Sequence, residues 1–316
     1  MSINTTVKYI SVLALSIFSV PTMADWEPSG PIRLMVGFAP GGGTDSLARA
    51  LSSEIEERNG WRVIPENVAG AGGAVMASRL KSEPNDGLTI GLALDTTFTF
   101  DSIDNNSISI DDYSYITTLA ASQTGVIARA DSGWKTMEDV VEASKNGENI
   151  VWSNYSSQTQ LASEVISNAL GIEANHLRGQ GGRAGVDSLV AQDANLAWSG
   201  GAHRGLVAAD ELVILVSAEN EPLVQNKQGE TLEDLGIPYN FGFRFVLAAP
   251  AGLDKEARDA IAEAVREIAV DKESRTAQFI AQQYPPSAVI VKGEELNNDL
   301  YQQLDEYLEM LQTFGQ

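Results

Sequence analysis

The chain has 316 residues, 43% of them apolar, no cysteine and a formal net charge of −22. So acidic a chain is a poor binder of nucleic acid or anionic lipid, and the absence of cysteine excludes both a disulfide scaffold and lipid attachment after a leader. The length is enough to bury a large core and to divide into two domains, and in a salty medium screening keeps distant surface acids from repelling an anionic ligand.

Residues 1–24 hold one charge, Lys8, then an apolar stretch from Ile10 to Val20 and small residues at Thr22 and Ala24. This reads as a secretory signal cleaved after Ala24, too short for a membrane anchor, and it places the mature protein in the periplasm. A proline-rich lead-in, Trp26 to Pro31, precedes an expected strand at Ile32–Gly37. Gly41, Gly42, Gly43 and Thr44 then turn into an expected helix, Ser46–Arg58, whose Leu47, Leu51 and Ile55 recur every four residues. A strand that turns through glycines into a helix start leaves N–H groups free, lets a ligand approach the main chain, and adds the positive end of the helix dipole. The product is a small anion cradle. Thr44 is expected to cap the helix or to offer its hydroxyl to the ligand. No Lys-Ser or Lys-Thr follows the glycines, so the turn is not a P-loop, and Asp45 would repel a polyphosphate. The same pattern also serves a turn that binds nothing.

A second strand, Trp61–Pro65, runs through Glu66-Asn67-Val68-Ala69-Gly70-Ala71-Gly72-Gly73 into an expected helix at Gly73–Lys81. A dinucleotide fingerprint fails here because Val75 stands at the third glycine position. A third strand, Leu88–Leu94, leads into Asp95-Thr96-Thr97-Phe98. Strands alternating with helices predict a parallel doubly wound sheet, with both glycine turns and Thr96 on one crevice edge. Thr96 suits a ligand contact or a simple turn.

Phe38-Ala39-Pro40-Gly41-Gly42-Gly43-Thr44-Asp45, then Glu66-Asn67 with Gly70-Ala71-Gly72-Gly73, then Pro84-Asn85-Asp86-Gly87-Leu88-Thr89 resemble the receptor family of tripartite tricarboxylate transporters, in both order and spacing. These are the periplasmic solute-binding proteins often called the Bug family, and a weaker resemblance extends to the C-terminus. It implies an α/β, type II Venus-flytrap fold: two lobes with doubly wound sheets closing on a small carboxylate. Residues 25–122 with about 222–316 would form lobe one, and 123–221 lobe two. The partners implied are a di-, tri- or aromatic carboxylate and the membrane subunits of a transporter; no cofactor is implied. Phe38, Pro40, Gly41, Gly42, Gly43, Thr44 and Asp45 are the ligand-binding candidates of the first turn. Ala71, Gly72 and Gly73, with Thr96, are those of the second turn and third strand.

Residues 101–112 read as a polar loop, and Tyr115 to Ala128 as one or two strands, with the first crossing between lobes near Ala121 to Gly125. A helix from Thr136 to Lys145 and a strand at Asn149–Ser153 follow. Ser153, Tyr155, Ser156, Ser157 and Gln158 then open a helix carrying Leu161, Val165 and Ile166. This place resembles a Ser/Gly-rich turn that meets the ligand in the family, but Asn154 and Tyr155 replace its glycines. The hydroxyls equally suit an ordinary helix cap, and Tyr155 would stack on an aromatic ligand or shorten the pocket. After the strand Asn175–Arg178 comes Gly179-Gln180-Gly181-Gly182-Arg183 and a helix with Val186, Leu189 and Val190. The family's Gly-Gly turn faces the cleft here. Arg183 suits a carboxylate fork, although solvated arginines are commoner. The strand Ala194–Trp198 ends in Ser199-Gly200-Gly201-Ala202-His203-Arg204, where the family usually shows an acidic or Asn residue; Ser199 is a candidate and His203 could contact an anion. The only histidines are 176 and 203, so no His-rich metal site is available. A strand at Leu212–Ser217, a polar excursion over 219–233 and a return strand at Phe243–Ala249 precede two helices. Helix 255–270 shows Ala257, Ile261, Val265 and Ile268 on one face; helix 293–312 shows Leu296, Leu300, Leu304, Leu308 and Leu311, expected to pack on a lobe.

No G-x-S-x-G elbow or H-E-x-x-H helix occurs, so no catalytic residue is assigned. A receptor without chemistry is the leading expectation. A hydrolase or transferase using the glycine turns as its anion site, and a receptor feeding a sensor, are the alternatives.

Overall fold

The computed structural model describes residues 26–104, 107–179, 182–284 and 288–314. The leader with its cleavage site, and Gln180 and Gly181, lie outside the described residues.

The apolar run Ile32–Val36 forms β1, nearly all of it buried, as a central parallel strand requires. Helix α1, Gly43–Asn59, buries Leu47, Leu51 and Ile55 and ends at Gly60 in the left-handed conformation. Next come β2 (Val63–Asn67), a 3-10 turn at Ala71–Gly73, α2 (Ala74–Leu80) and β3 (Thr89–Leu94). Short helices α3 (Asp95–Phe98) and α4 (Phe100–Asp104) lead to β4 (Tyr113–Ala121). The chain then crosses to β5 (Gly125–Arg129), α5 (Met137–Lys145), β6 (Ile150–Asn154), α6 (Ser157–Leu170) and β7 (Ala174–Arg178). Helix α7 (Gly182–Val190), β8 (Leu196–Ser199), α8 (Arg204–Ala208) and β9 (Leu212–Ser217) complete that side. Strand β10 (Arg244–Pro250) returns, followed by α9 (Lys255–Val270), α10 (Arg275–Gln283) and α11 (Gly293–Phe314).

Two five-stranded sheets result, ordered β2-β1-β3-β10-β4 and β7-β6-β8-β5-β9. Both are mixed rather than all-parallel, because β10 runs antiparallel to β3 and β4, and β5 antiparallel to β8 and β9. These antiparallel strands belong to the stretches where the chain passes between sheets. One continuous core spans both sheets, and a smaller one lies around Ile127, Val186 and Leu189. In the second sheet Trp152 and Trp198 stack at 5.7 Å, and their indole N–H groups donate to Ser167 and Ser163.

Two local expectations are corrected. Part of the polar stretch 101–112 is helical, because buried Phe100 packs edge-on against Tyr307 and anchors α4. The leucine stripe of α11 leaves the core: Leu296 and Leu300 are buried, but Tyr307 and Met310 take over while Leu308 is 39% exposed. Four-residue spacing advances about 40° per step on a 3.6-residue helix, so the stripe rotates away. A third C-terminal helix, α10, stands between the two expected ones. It is set by buried Glu54 of α1, which accepts from the N–H groups of Arg275 and Thr276 and from the Thr276 hydroxyl.

Glu54→Ala would leave those donors without an acceptor. The expected loss is about 2–3 kcal/mol of unfolding free energy, read by urea denaturation at unchanged slope; an unchanged midpoint would show that α10 is held otherwise.

Candidate functional site

The carboxyl end of β1 delivers the chain into residues 37–42, and α1 starts on Gly43 with Gly42 as its N-cap. Gly42 has no side chain with which to cap, and the N–H groups of Gly43 and Thr44 find no acceptor among the described residues. Thr44 is therefore not the cap; it sits inside the first turn. The Gly41 N–H bonds to Asp45 at 2.9 Å, so it faces the protein.

Asp45 is a brace rather than a wall. Its buried carboxylate also accepts from Asn67 Nδ2 at 2.9 Å and pairs with Arg49 at 2.8 Å. Asn67 donates in addition to the Phe38 carbonyl, which ties the end of β2 to the first loop. Burial alone would raise the Asp45 pKa, but Arg49, the Gly41 N–H and Asn67 outweigh it and hold the group below the usual carboxylate range.

The open start of α1 faces a cavity of about 260 Å³ between the sheets. Phe38, Pro40, Gly42, Gly43 and Thr44 line one side, and Tyr155, Arg183, Asp187 and Gly200 to Ala202 the other. Leu94, Phe243, Phe245 and Tyr284 complete it. Ala71 and Gly72 border a separate, much smaller space, which shares Phe38, Ala39 and Tyr155 with the cavity; these three residues divide the two. Gly73 lines neither: its carbon backbone packs against Gly37, where a Cβ would lie 3.2 Å from the Gly73 Cα.

Other candidates are engaged elsewhere. Thr96 is buried in α3, with its N–H on Asp95. Ser153 bonds Ser188. Ser156 caps α6 in a reciprocal box with Thr159, and Ser157 accepts from Arg178. Gln158 is buried and donates to Tyr307 and the Phe241 carbonyl. Ser199 accepts from the N–H groups of Gly201 and His203 and bonds the His203 ring. Burial and the neighbouring Arg204 push His203 down to about 4, so it carries no charge to offer an anion at neutral pH. Arg183 reaches the rim of the cavity but is 66% exposed along its side chain and pairs with Asp187.

Tyr284 and Leu94 carry no signal of a site in the sequence; only the fold brings them to the cavity. A larger hollow of about 740 Å³ lies beside α11, bordered by Asp95, Glu219, Asp299, Glu306 and Glu309. The cation among its described lining residues, Arg244, is bonded to Asp95 and Asp299, so that hollow is unfavourable for an anion.

Residues 47–283 match the family described as "Tripartite tricarboxylate transporter family receptor". A curated relative from Cupriavidus necator, a UPF0065 protein in the gbd 5' region, is 27% identical over 77% of this chain and 76% of its own length. Among solved structures, the periplasmic binding protein BugD superposes with a TM-score of 0.77 at 18% identity, over 92% of this chain and 99% of BugD. R. palustris Rpa4515 with adipate gives 0.80 at 17% identity, over 91% and 98%. At such identities these likenesses concern the fold, which is the two-lobed α/β fold of periplasmic binding proteins.

Asp45→Asn would keep the size of the brace but weaken its hold on Gly41 and Arg49. The expected result is a less stable protein above pH 5, with the difference from the parent shrinking as pH falls. A carboxyl held below its unfolded pKa of about 3.9 stabilises fully above that value and loses the effect as pH drops through the folded one. Denaturation curves at several pH values check this; a difference that grows on acidification would contradict it.

Proposed function

The chain belongs to the receptor family of tripartite tricarboxylate transporters, and we propose that its cleft captures a small organic carboxylate and hands it to the membrane subunits of such a transporter. It is a solute-binding protein, not an enzyme. The observation that carries the ligand reading is the uncapped start of α1, whose Gly43 and Thr44 N–H groups stand on the wall of the 260 Å³ cavity. Free N–H groups and the helix dipole at one point favour an anion. The cavity is below the usual range of about 300–1,000 Å³ for small-molecule pockets, so the acid is compact. The Rpa4515 neighbour is a structure with adipate, a small organic carboxylate. The apolar stretch from Ile10 to Val20 would direct export to the periplasm.

Binding needs no bond chemistry. One lobe holds the carboxylate, and contacts from Tyr155 and the Gly200–Ala202 turn exist only when the lobes are together, so the ligand favours the closed form.

A thermal-shift screen over small organic acids tests this reading. An acid at a hundred times its Kd should stabilise the protein by about 2.7 kcal/mol, and Thr44→Ala, which keeps the N–H and removes only the hydroxyl, should reduce the binding energy by no more than about 1 kcal/mol. A screen in which no carboxylate shifts the midpoint, or reproducible turnover of a bound acid, would contradict the receptor reading.

A further inference from the structure

At the start of α1, Tyr284 joins the Gly43 and Thr44 N–H groups on the cavity wall. Tyr284 is 4% exposed and lines the cavity, and its hydroxyl has no hydrogen-bond partner among the described residues. The hydroxyl lies against Gly43, where a Cβ would collide with the oxygen; only glycine at that position admits it. Phe245 and Phe279 hold the ring edge-on at 4.7 and 6.1 Å, and Gly201 backs it from the opposite lobe, where a Cβ would lie 3.0 Å from Cε1. Burial keeps the phenol protonated, so at neutral pH it is a hydrogen-bond donor. A buried, unpaired donor beside free helix N–H groups is what an anionic oxygen requires.

The side chains on the rest of the wall are mostly apolar or aromatic, among them Phe38, Pro40, Leu94, Tyr155, Phe243 and Phe245. The charged side chains among its described lining residues are Arg183 and Asp187, which pair with each other at 2.9 Å. A second carboxylate on the ligand would find no free cationic side chain among the described lining residues, only the main chain of the α7 first turn at Gly182 to Ala184 and of Gly200 to Ala202. A second charge brought into a small cavity without a cationic side chain to pair it is unfavourable.

We propose that the cleft selects a compact acid with a single carboxylate and an apolar, ring-like body, and that Tyr284 donates its hydroxyl to that carboxylate together with the Gly43 and Thr44 N–H groups. The proposal rests on the carboxylate-receptor reading and narrows it. The flat body would lie among Phe243, Phe245 and Tyr155, where offset and edge-on ring contacts are favourable.

Calorimetry on the purified protein with benzoate, benzamide, succinate, adipate and citrate tests it. Benzoate should bind tighter than each of the three polyacids, and about tenfold or more tighter than benzamide, which has the same shape without the charge. Tyr284→Phe keeps the ring and removes the donor. It should lower benzoate affinity by about tenfold or more, and narrow the gap between benzoate and benzamide, with little change in the unfolding midpoint. Unchanged benzoate affinity in Tyr284→Phe would remove the hydroxyl from the site. A polyacid that outbinds benzoate would overturn the ligand class while leaving the receptor intact, and this ranking is read on the parent protein, whether or not the variant folds. If none of the acids binds, the inference and the carboxylate-receptor reading fall together.

Discussion

Asp45 carries the one interaction that the rest of the site depends on. An acid in the first turn of a helix ordinarily occupies the positive end of the dipole itself. Here its charge is turned inward: Gly41, Asn67 and Arg49 share the carboxylate. The loop is fixed, the charge is neutralised, and the Gly43 and Thr44 N–H groups stay open to the cavity. The same residue that argues against a polyphosphate from the sequence therefore presents no barrier to a single carboxylate. Asn67 extends the effect, because its bond to the Phe38 carbonyl sets the loop against β2.

The two sides of the cleft are joined by polar contacts of a similar kind. Glu219, just beyond β9, accepts from the Ser122 hydroxyl and the Thr124 N–H, both at 2.7 Å, so the outgoing and returning passages between sheets share one carboxylate. Ser122 also accepts from the Phe243 N–H at the entry to β10. Gln158 reaches from α6 to Tyr307 on α11. These bonds set the approach of the lobes, and Tyr284 is in contact with glycines from both, Gly43 and Gly201. A Cβ at either position would crowd the Tyr284 ring or its hydroxyl.

The sequence made the α/β fold and the first loop legible because both are local. Apolar runs alternating with four-residue periodicity give strand and helix, and glycines between them give the turn. The mixed sheets were not legible: β10 is paired with β3 across some 150 residues of chain, and nothing in Arg244–Pro250 states its direction. The hydroxyl cluster Ser156, Ser157 and Gln158 fits a ligand wall and a helix cap equally well on composition, and in the structure it serves as cap and packing. The second glycine turn lies at the strand ends, as its spacing requires, yet Tyr155 separates it from the main cavity; a side chain that divides a space has no sequence signature. Tyr284 is the clearest omission. It lies some 240 residues from Gly43, and its position follows from α10 being anchored on Glu54, a buried carboxylate indistinguishable in the sequence from the many on the surface.

The central claim, that the open start of α1 is where the ligand's carboxylate rests, is tested most directly by amide resonances of the ¹⁵N-labelled protein during titration with benzoate. Hydrogen bonding to an oxyanion moves an amide proton downfield, so Gly43 and Thr44 should show the largest downfield shifts. Gly41, already bonded to Asp45, should move little. Saturable binding with Gly43 and Thr44 unmoved, and the shifts gathered around the acidic hollow beside α11, would contradict it.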